Sequence, residues 1–288
     1  MFVLVYDYLN SAHISAFIQQ ALQEDVGSGD HTSLSSIATG TTNRARLLVK
    51  DEGLLAGVEL AQYIFHEVDP SLRVDLKMKD GETMHPGDIV LNVQGSVHSI
   101  LKAERLVLNC MQRMSGIATY TQQLNGLIEG TGARLLDTRK TTPNFRLPEK
   151  WAVKIGGGVN HRYGLFDMIL LKDNHVDYAG GVTQALKSAK DYLKSTGLSL
   201  DIELETRSLE EVKEALIEGG IKRIMLDNMS LELMKEAVKL IGNQSETEAS
   251  GGITEATIRE VALCGVNYIS VGALTHSAKS LDLSLKAY

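Results

Sequence analysis

Cysteine is scarce in this chain, with Cys110 and Cys264 its only two. They stand far apart in apolar helical settings, which excludes a disulfide framework and a cysteine metal site and fits a reducing cytoplasm. Long apolar runs are also missing. Nowhere do about 18 hydrophobic residues follow one another, as a membrane helix requires. The apolar start Met1–Val5 is soon interrupted by Asp7 and lacks a basic flank, so it is too short for a signal peptide. No membrane partner is expected. Nor is positive charge in excess: the formal net charge is −7. This argues against a nucleic-acid binder, whose affinity comes from neutralising many phosphates. Aromatic residues make up only 5%, but 43% hydrophobic and 23% charged residues are ordinary for a globular protein, so disorder is not expected.

At 288 residues the chain exceeds the usual size of one core, and two domains are expected. The spacing of Ile14, Phe17, Ile18, Ala21 and Leu22 predicts a docked helix with Ser11 as its cap. Strands are predicted over Arg44–Lys50, Leu72–Met78 and Asp88–Gln94, with a helix over Val58–Val68, giving a small amino-terminal α+β domain. A helix over Ile100–Met114 is expected to break at Ser115-Gly116. The domain boundary is placed there, giving domains 1–115, rejoined by 277–288, and 116–276. The first ten residues read as an extension with no assigned role.

Beyond the boundary, strand and helix alternate. Strands are predicted at Ala133–Asp137, Met168–Lys172, Leu200–Glu205, Arg223–Asp227, Thr247–Ser250 and Tyr268–Val271. Helices are predicted at Val182–Lys194, Leu209–Glu218, Leu231–Leu240 and Glu255–Cys264. Ser208 and Glu211 form a capping box for the second of these, and Ser230 precedes the third. The alternation predicts a parallel sheet closed, or nearly closed, into an α/β barrel.

Polar residues fall where these apolar strands stop: Lys172, Glu205, Asp227, Ser250 and Gly272. The last four are evenly spaced, since 227−205 is 22, 250−227 is 23 and 272−250 is 22. Equivalent strand ends share one barrel face, the carboxyl-terminal one, where barrel active sites are built. Any one such residue is more simply explained by reaching solvent; five together favour a site. Ser250-Gly251-Gly252 with Thr254, and Gly272-Ala273 with Thr275 and His276, are candidate phosphate cradles. Glu205 and Asp227 offer the hard oxygen ligands that Mg²⁺ uses alongside substrate phosphates. Glu203 and Glu248 are placed to assist. The bland alternative is an ion pair of these acids with Lys172 or Lys140, which is compatible with a site that fills later.

Between Asp137 and Asn174 the residues Arg139, Lys140, His161, Arg162 and Lys172 gather positive charge in an acidic protein. Such a cluster attracts a small polyanion; taken alone, a surface salt-bridge network would explain it as well. The motifs here are TRKTTP at Thr138–Pro143, GGG then NHR at Gly156–Arg162 and LKDNH at Leu171–His175. Further on come LDN at Leu226–Asn228, SGGI at Ser250–Ile253 and VGALTHS at Val271–Ser277. Together with SGIAT at Ser115–Thr119 and Glu104-Arg105, they closely resemble the quinolinate phosphoribosyltransferase family, over roughly residues 12 to 288 and in one order.

The resemblance implies an amino-terminal α/β sandwich joined to an incomplete parallel α/β barrel, with the carboxyl terminus returning to the first domain. It implies a type II phosphoribosyltransferase that makes nicotinate mononucleotide from quinolinate and phosphoribosyl pyrophosphate in NAD biosynthesis, releasing pyrophosphate and carbon dioxide. It also implies a homodimer, or a higher oligomer, in which Arg105 is contributed across the interface. By the same match, Arg139, His161, Arg162 and Lys172 hold the carboxylates of quinolinate, and Lys140 stands beside the reacting centre. Glu205 and Asp227 bind Mg²⁺ and the phosphoribosyl end, and Ser250, Gly251, Gly272 and His276 line the phosphate pocket. One departure is Asn144, where the family commonly has glycine; asparagine tolerates the left-handed region. Three rivals remain at this stage: a relative acting on nicotinate or another nitrogen heterocycle, a Schiff-base aldolase using Lys172, and a non-catalytic phosphate-binding subunit.

Overall fold

The structure, a computed structural model, describes residues 8–288; Met1–Val5 and Asp7 lie outside the described residues. The first half runs α1 (Ser11–Val26), α2 (His31–Ser36), β1 (Thr42–Val49), β2 (Gly53–Leu54), α3 (Val58–Val68), β3 (Arg73–Leu76), β4 (Thr83–Met84), β5 (Ile89–Ser96) and α4 (Val97–Leu127). Next come β6 (Arg134–Leu136), α5 (Arg146–Ile155), β7 (Ile169–Leu171), α6 (Asp173–Ala179), α7 (Val182–Thr196), β8 (Ile202–Thr206) and α8 (Leu209–Glu218). The chain ends with β9 (Arg223–Asp227), α9 (Leu231–Ile241), β10 (Glu246–Ser250), α10 (Ile258–Ala262), β11 (Tyr268–Ser270), α11 (Ala273–His276) and β12 (Leu283–Ala287). Among the described residues no helix is long and apolar enough to cross a membrane.

Two compact units are present. One holds the chain up to Gln122 together with Lys140–Gly157 and Ala273–Tyr288; the other holds Gln123–Arg139 and Gly158–Gly272. Lys140–Gly157, expected in the barrel domain, thus groups with the amino-terminal residues, α5 packing on α11.

The first unit is built on an antiparallel sheet in the order β12-β1-β5-β3. In β1, Ala45, Leu47 and Val49 are buried at period two, which gives the strand one core face. The carboxyl-terminal strand adds to its edge, with Leu285 opposite Leu47. Helix α3 buries Leu60, Ala61, Ile64 and Phe65 at helical spacing. Its own first residues offer no side-chain cap, so the Asp80 carboxylate accepts from the N–H groups of Val58 and Glu59 at 2.8 and 3.1 Å.

Three local expectations need correction. Helix α1 is capped by Asn10, which accepts from the His13 N–H at 2.9 Å, while Ser11 is its first residue. Of the five residues proposed for its apolar face, only Ile14 and Ile18 are buried. More important, α4 does not break at Ser115-Gly116. Ser115 Oγ accepts from the Ala56 N–H at 3.0 Å, Thr119 Oγ1 accepts from the Leu54 N–H at 2.8 Å, and a side chain at Gly116 would run into the Lys279 carbonyl. These small residues admit neighbouring backbone to the helix surface; they do not end it.

In the second unit all six strands are parallel, in the order β6-β11-β10-β9-β8-β7. The end strands β6 and β7 are not paired, so the barrel is incomplete. Val159 bridges to Leu136 beside β6. The α8 cap is only half the predicted box: Ser208 Oγ accepts from the Glu211 N–H, but the Glu211 carboxylate takes the N–H of Arg207, one residue early. Helix α10 is shorter than expected, because hydrogen bonds between Thr254 and Thr257 hold a turn ahead of it.

Candidate active site

Side chains in a strand alternate between faces, and parallel register carries that alternation from strand to strand. Glu203 pairs with Arg223, and Arg223 with Glu246. Ser250 pairs with Asp227 four residues further along. One face of the sheet is therefore largely polar, carrying Glu203 and Glu205, Arg223, Met225 and Asp227, and Glu246, Glu248 and Ser250. The opposite face carries Ile202, Leu204, Ile224, Leu226 and Ala249, all buried.

The polar face has two levels. Toward the carboxyl ends, Lys172 Nζ donates to Glu205 Oε2 at 3.1 Å, so the ion pair offered as the bland alternative is present. Asp227, half-buried, accepts from the Asn228 carboxamide at 2.7 Å. Asn228 adopts φ +52 and donates its N–H to the Ser250 carbonyl. Gly251 and Gly252 have φ +95 and +61, so the Ser250 loop needs glycine there.

The lower level is a buried charge cluster. Arg223 Nη1 lies 3.2 Å from Glu248 Oε2 and 3.7 Å from Glu203 Oε2, Nη2 lies 3.1 Å from Glu246, and the guanidinium stacks 4.2 Å from the Tyr268 ring centroid. Nε2 of His161 lies 3.0 Å from Glu203 and 3.5 Å from Glu248. Burial first of all raises both carboxyl groups above their usual range, to about 7, and Glu203 adds its repulsion at Glu248. His161, Glu203 and Glu248 are close enough to hold a metal ion, but the Arg223 guanidinium already supplies positive charge to the same oxygens. Glu203 and Glu248 therefore do not assist at the strand ends as expected; they belong to this cluster.

His161 and Arg162 are set by Asp137 at the end of β6. Its carboxylate, fully buried, accepts from the His161 N–H at 2.8 Å and from Asn160 Nδ2 at 2.5 Å. His161 Nδ1 accepts in turn from the Arg162 N–H at 2.7 Å. Burial, and next the positive charge of Arg139, lower the Arg162 guanidinium from its ordinary value. Two cations are thus held close enough to repel, an arrangement an anion would relieve. Asp137, Asn160 and Arg223 join the site without a sequence signal of their own; only the register of β8, β9 and β10 points to Arg223.

The second unit contains Arg139, His161, Arg162, Lys172, Glu205, Asp227, Ser250, Gly251 and Gly272 of the predicted site. Arg105, Lys140 and His276 belong to the first. There Arg105 is exposed on α4 and lines a cavity of about 300 Å³ with Thr142 and Asn144. Asn144 has φ +60, the left-handed conformation its position calls for.

Family models match in two consecutive blocks: quinolinate phosphoribosyl transferase, N-terminal domain, over residues 30–115, and its C-terminal domain over 117–286. The chain belongs to the quinolinate phosphoribosyltransferase family. Within it, a chloroplastic nicotinate-nucleotide pyrophosphorylase [carboxylating] of Arabidopsis thaliana is 49% identical, over 95% of this chain and 82% of that protein. A probable enzyme of the same name from Bacillus subtilis is 39% identical over 96% and 94%. The crystal structure of NadC from Streptococcus pyogenes superposes with a TM-score of 0.89 at 40% identity, covering 97% of this chain and 99% of that one. The mixed α/β architecture with an unclosed barrel is thus the family's fold.

Proposed function

We propose that this protein is a carboxylating nicotinate-nucleotide diphosphorylase, joining quinolinate to phosphoribosyl pyrophosphate to give nicotinate mononucleotide, pyrophosphate and carbon dioxide. The observation that carries this reading is the pairing of cations and acids on one sheet: Arg139 and Arg162 held in mutual repulsion, with Lys172, Glu205 and Asp227 at neighbouring strand ends.

Arg139, Arg162 and Lys172 grip the two carboxylates of quinolinate, a dianion that water solvates well, and aim the ring nitrogen at the anomeric carbon. His161 serves the same end by fixing the Arg162 backbone through Nδ1. As the nitrogen–carbon bond forms, the bond from that carbon to pyrophosphate breaks, and the leaving group takes the electron pair. Positive charge then resides on the ring nitrogen. The bond to the adjacent carboxylate breaks toward it, carbon dioxide leaves, and the ring carbon takes up a proton. Lys140 acts at the reacting centre, and exclusion of water favours the loss of carbon dioxide. Ser250, Gly251, Gly272 and His276 bind the phosphate of the sugar donor.

Glu205 and Asp227 fit Mg²⁺, being hard oxygen donors on one sheet face whose present partners, Lys172 and Asn228, can yield to a cation. The bound ion would neutralise charge accumulating on pyrophosphate. Arg105 is exposed on α4 beside the Thr142–Asn144 cavity, where it is open to contribution to a second copy of the chain in a homodimer. The two free, buried cysteines fit the cytoplasm. A Schiff-base aldolase is disfavoured, since both family models are of quinolinate phosphoribosyl transferase and Lys172 Nζ is engaged by the Glu205 carboxylate at 3.1 Å.

The test is to incubate purified protein with quinolinate, phosphoribosyl pyrophosphate and Mg²⁺, with nicotinate as a parallel substrate. Carbon dioxide and nicotinate mononucleotide are expected from quinolinate alone; product from nicotinate instead would refute the assignment.

A further inference from the structure

Glu149, on α5, is a fully buried carboxylate with no place in the site described above. Its Oε2 accepts from the Thr142 N–H at 2.9 Å, and its Oε1 accepts from Thr142 Oγ1 at 3.0 Å. The same Oε1 accepts from Nε and Nη2 of Arg113, on α4, at 3.2 and 3.1 Å. Arg113 also donates to the turn around His276: Nη1 donates to the Ala278 carbonyl at 2.6 Å, and Nη2 donates to the Thr275 carbonyl. Thr275 Oγ1 closes the circuit by donating to the Lys140 carbonyl at 2.9 Å. All of these residues lie in one compact unit.

The circuit joins the backbone at Lys140 and Thr142 to the backbone at Thr275 and Ala278 through one ion pair and one hydroxyl. Thr275 is fully buried, with its hydroxyl turned to Lys140, so it is not the phosphate ligand that its position in the sequence suggests. A guanidinium fork is rigid and a buried carboxylate with four donors has little freedom, so neither segment can shift without breaking a charge-assisted bond. We propose that Arg113, Glu149 and Thr275 are positioning residues that fix the backbone of Lys140 and the His276 turn as one rigid body. This rests on the function proposed above for its consequence in catalysis, though not for its consequence in backbone stability.

The test compares Thr275→Val, which keeps shape and loses only the hydroxyl, with Thr275→Ser, which restores the hydroxyl. Two readouts are taken: turnover with both substrates saturating, and amide hydrogen exchange at Thr142. For Thr275→Val, turnover is expected to fall by about tenfold or more, as small misplacements of a reacting group do. Exchange at Thr142 should accelerate roughly tenfold, and Thr275→Ser should reverse both changes. Unchanged exchange in Thr275→Val would overturn the circuit. Accelerated exchange with unchanged turnover would overturn its role in positioning Lys140, and failure of serine to restore either readout would assign the effect to packing. If the wild-type protein makes no nicotinate mononucleotide, the proposed function fails while exchange still decides the circuit. Should Thr275→Val not fold, Arg113→Lys, which cannot keep all four bonds, carries the same expectations.

Discussion

The carboxamide of Asn228 donates to the Asp227 carboxylate at 2.7 Å and occupies the space that any side chain on residue 251 would need. An acid assigned to the metal and a loop assigned to phosphate are thereby fixed by one amide. Gly251→Ala meets both this obstruction and a backbone φ of +95. It should lower the unfolding free energy by roughly 2 kcal/mol. It should also weaken phosphoribosyl pyrophosphate more than quinolinate, as chemical denaturation and titration calorimetry would record; equal weakening of both would remove the loop from phosphate binding.

Arg162→Ala and Lys172→Ala should raise the quinolinate Kd by about tenfold or more, the loss usual for a charge-assisted hydrogen bond. Affinity for the sugar donor should stay within about threefold, because the cations address carboxylates. Comparable losses for both substrates would place these residues elsewhere.

The buried acids predict a pH effect on stability. Glu248 keeps its proton in the folded protein to about pH 7, whereas its ordinary value is 4.5. Between these values the folded state binds more protons than the unfolded one, so stability falls as pH rises from about 4.5 to about 7 and levels off above. The stabilisation is fully present below the ordinary value. Glu248→Gln should flatten this limb, removing on the order of 3 kcal/mol of pH dependence. Melting temperature across that range checks it; an unaltered slope would assign the dependence to other groups.

Chelation should abolish turnover, and Mg²⁺ should restore it. Glu205→Gln and Asp227→Asn should each raise the Mg²⁺ needed for half-maximal rate by about tenfold or more, the loss seen even for outer partners of a metal. Turnover that persists under a strong chelator would remove the metal from the mechanism.

Much of this was legible in the sequence because strand alternation and strand ends are local. Arg223–Asp227 and Leu209–Glu218 were located to the residue, and the acids at 205 and 227 followed from counting. What was not legible depended on partners remote in the chain. Ser115-Gly116 looks like a helix break until Ala56 and the Lys279 carbonyl are seen against it. Glu203 looks placed to assist the metal ligands Glu205 and Asp227 until Arg223, brought alongside by parallel register, claims it. The Arg113–Glu149 pair, 36 residues apart, carries no periodic signal.

The uninterrupted helix Val97–Leu127 also bears on how the gene can be divided. A cut at Gly116, the boundary that sequence and family blocks alike suggest, severs that helix in mid-turn. It strands Ser115 on one fragment and Thr119 on the other, although both grip the same short stretch from Leu54 to Ala56. Separately expressed halves should therefore each expose a raw helix end and fail to reproduce the parent.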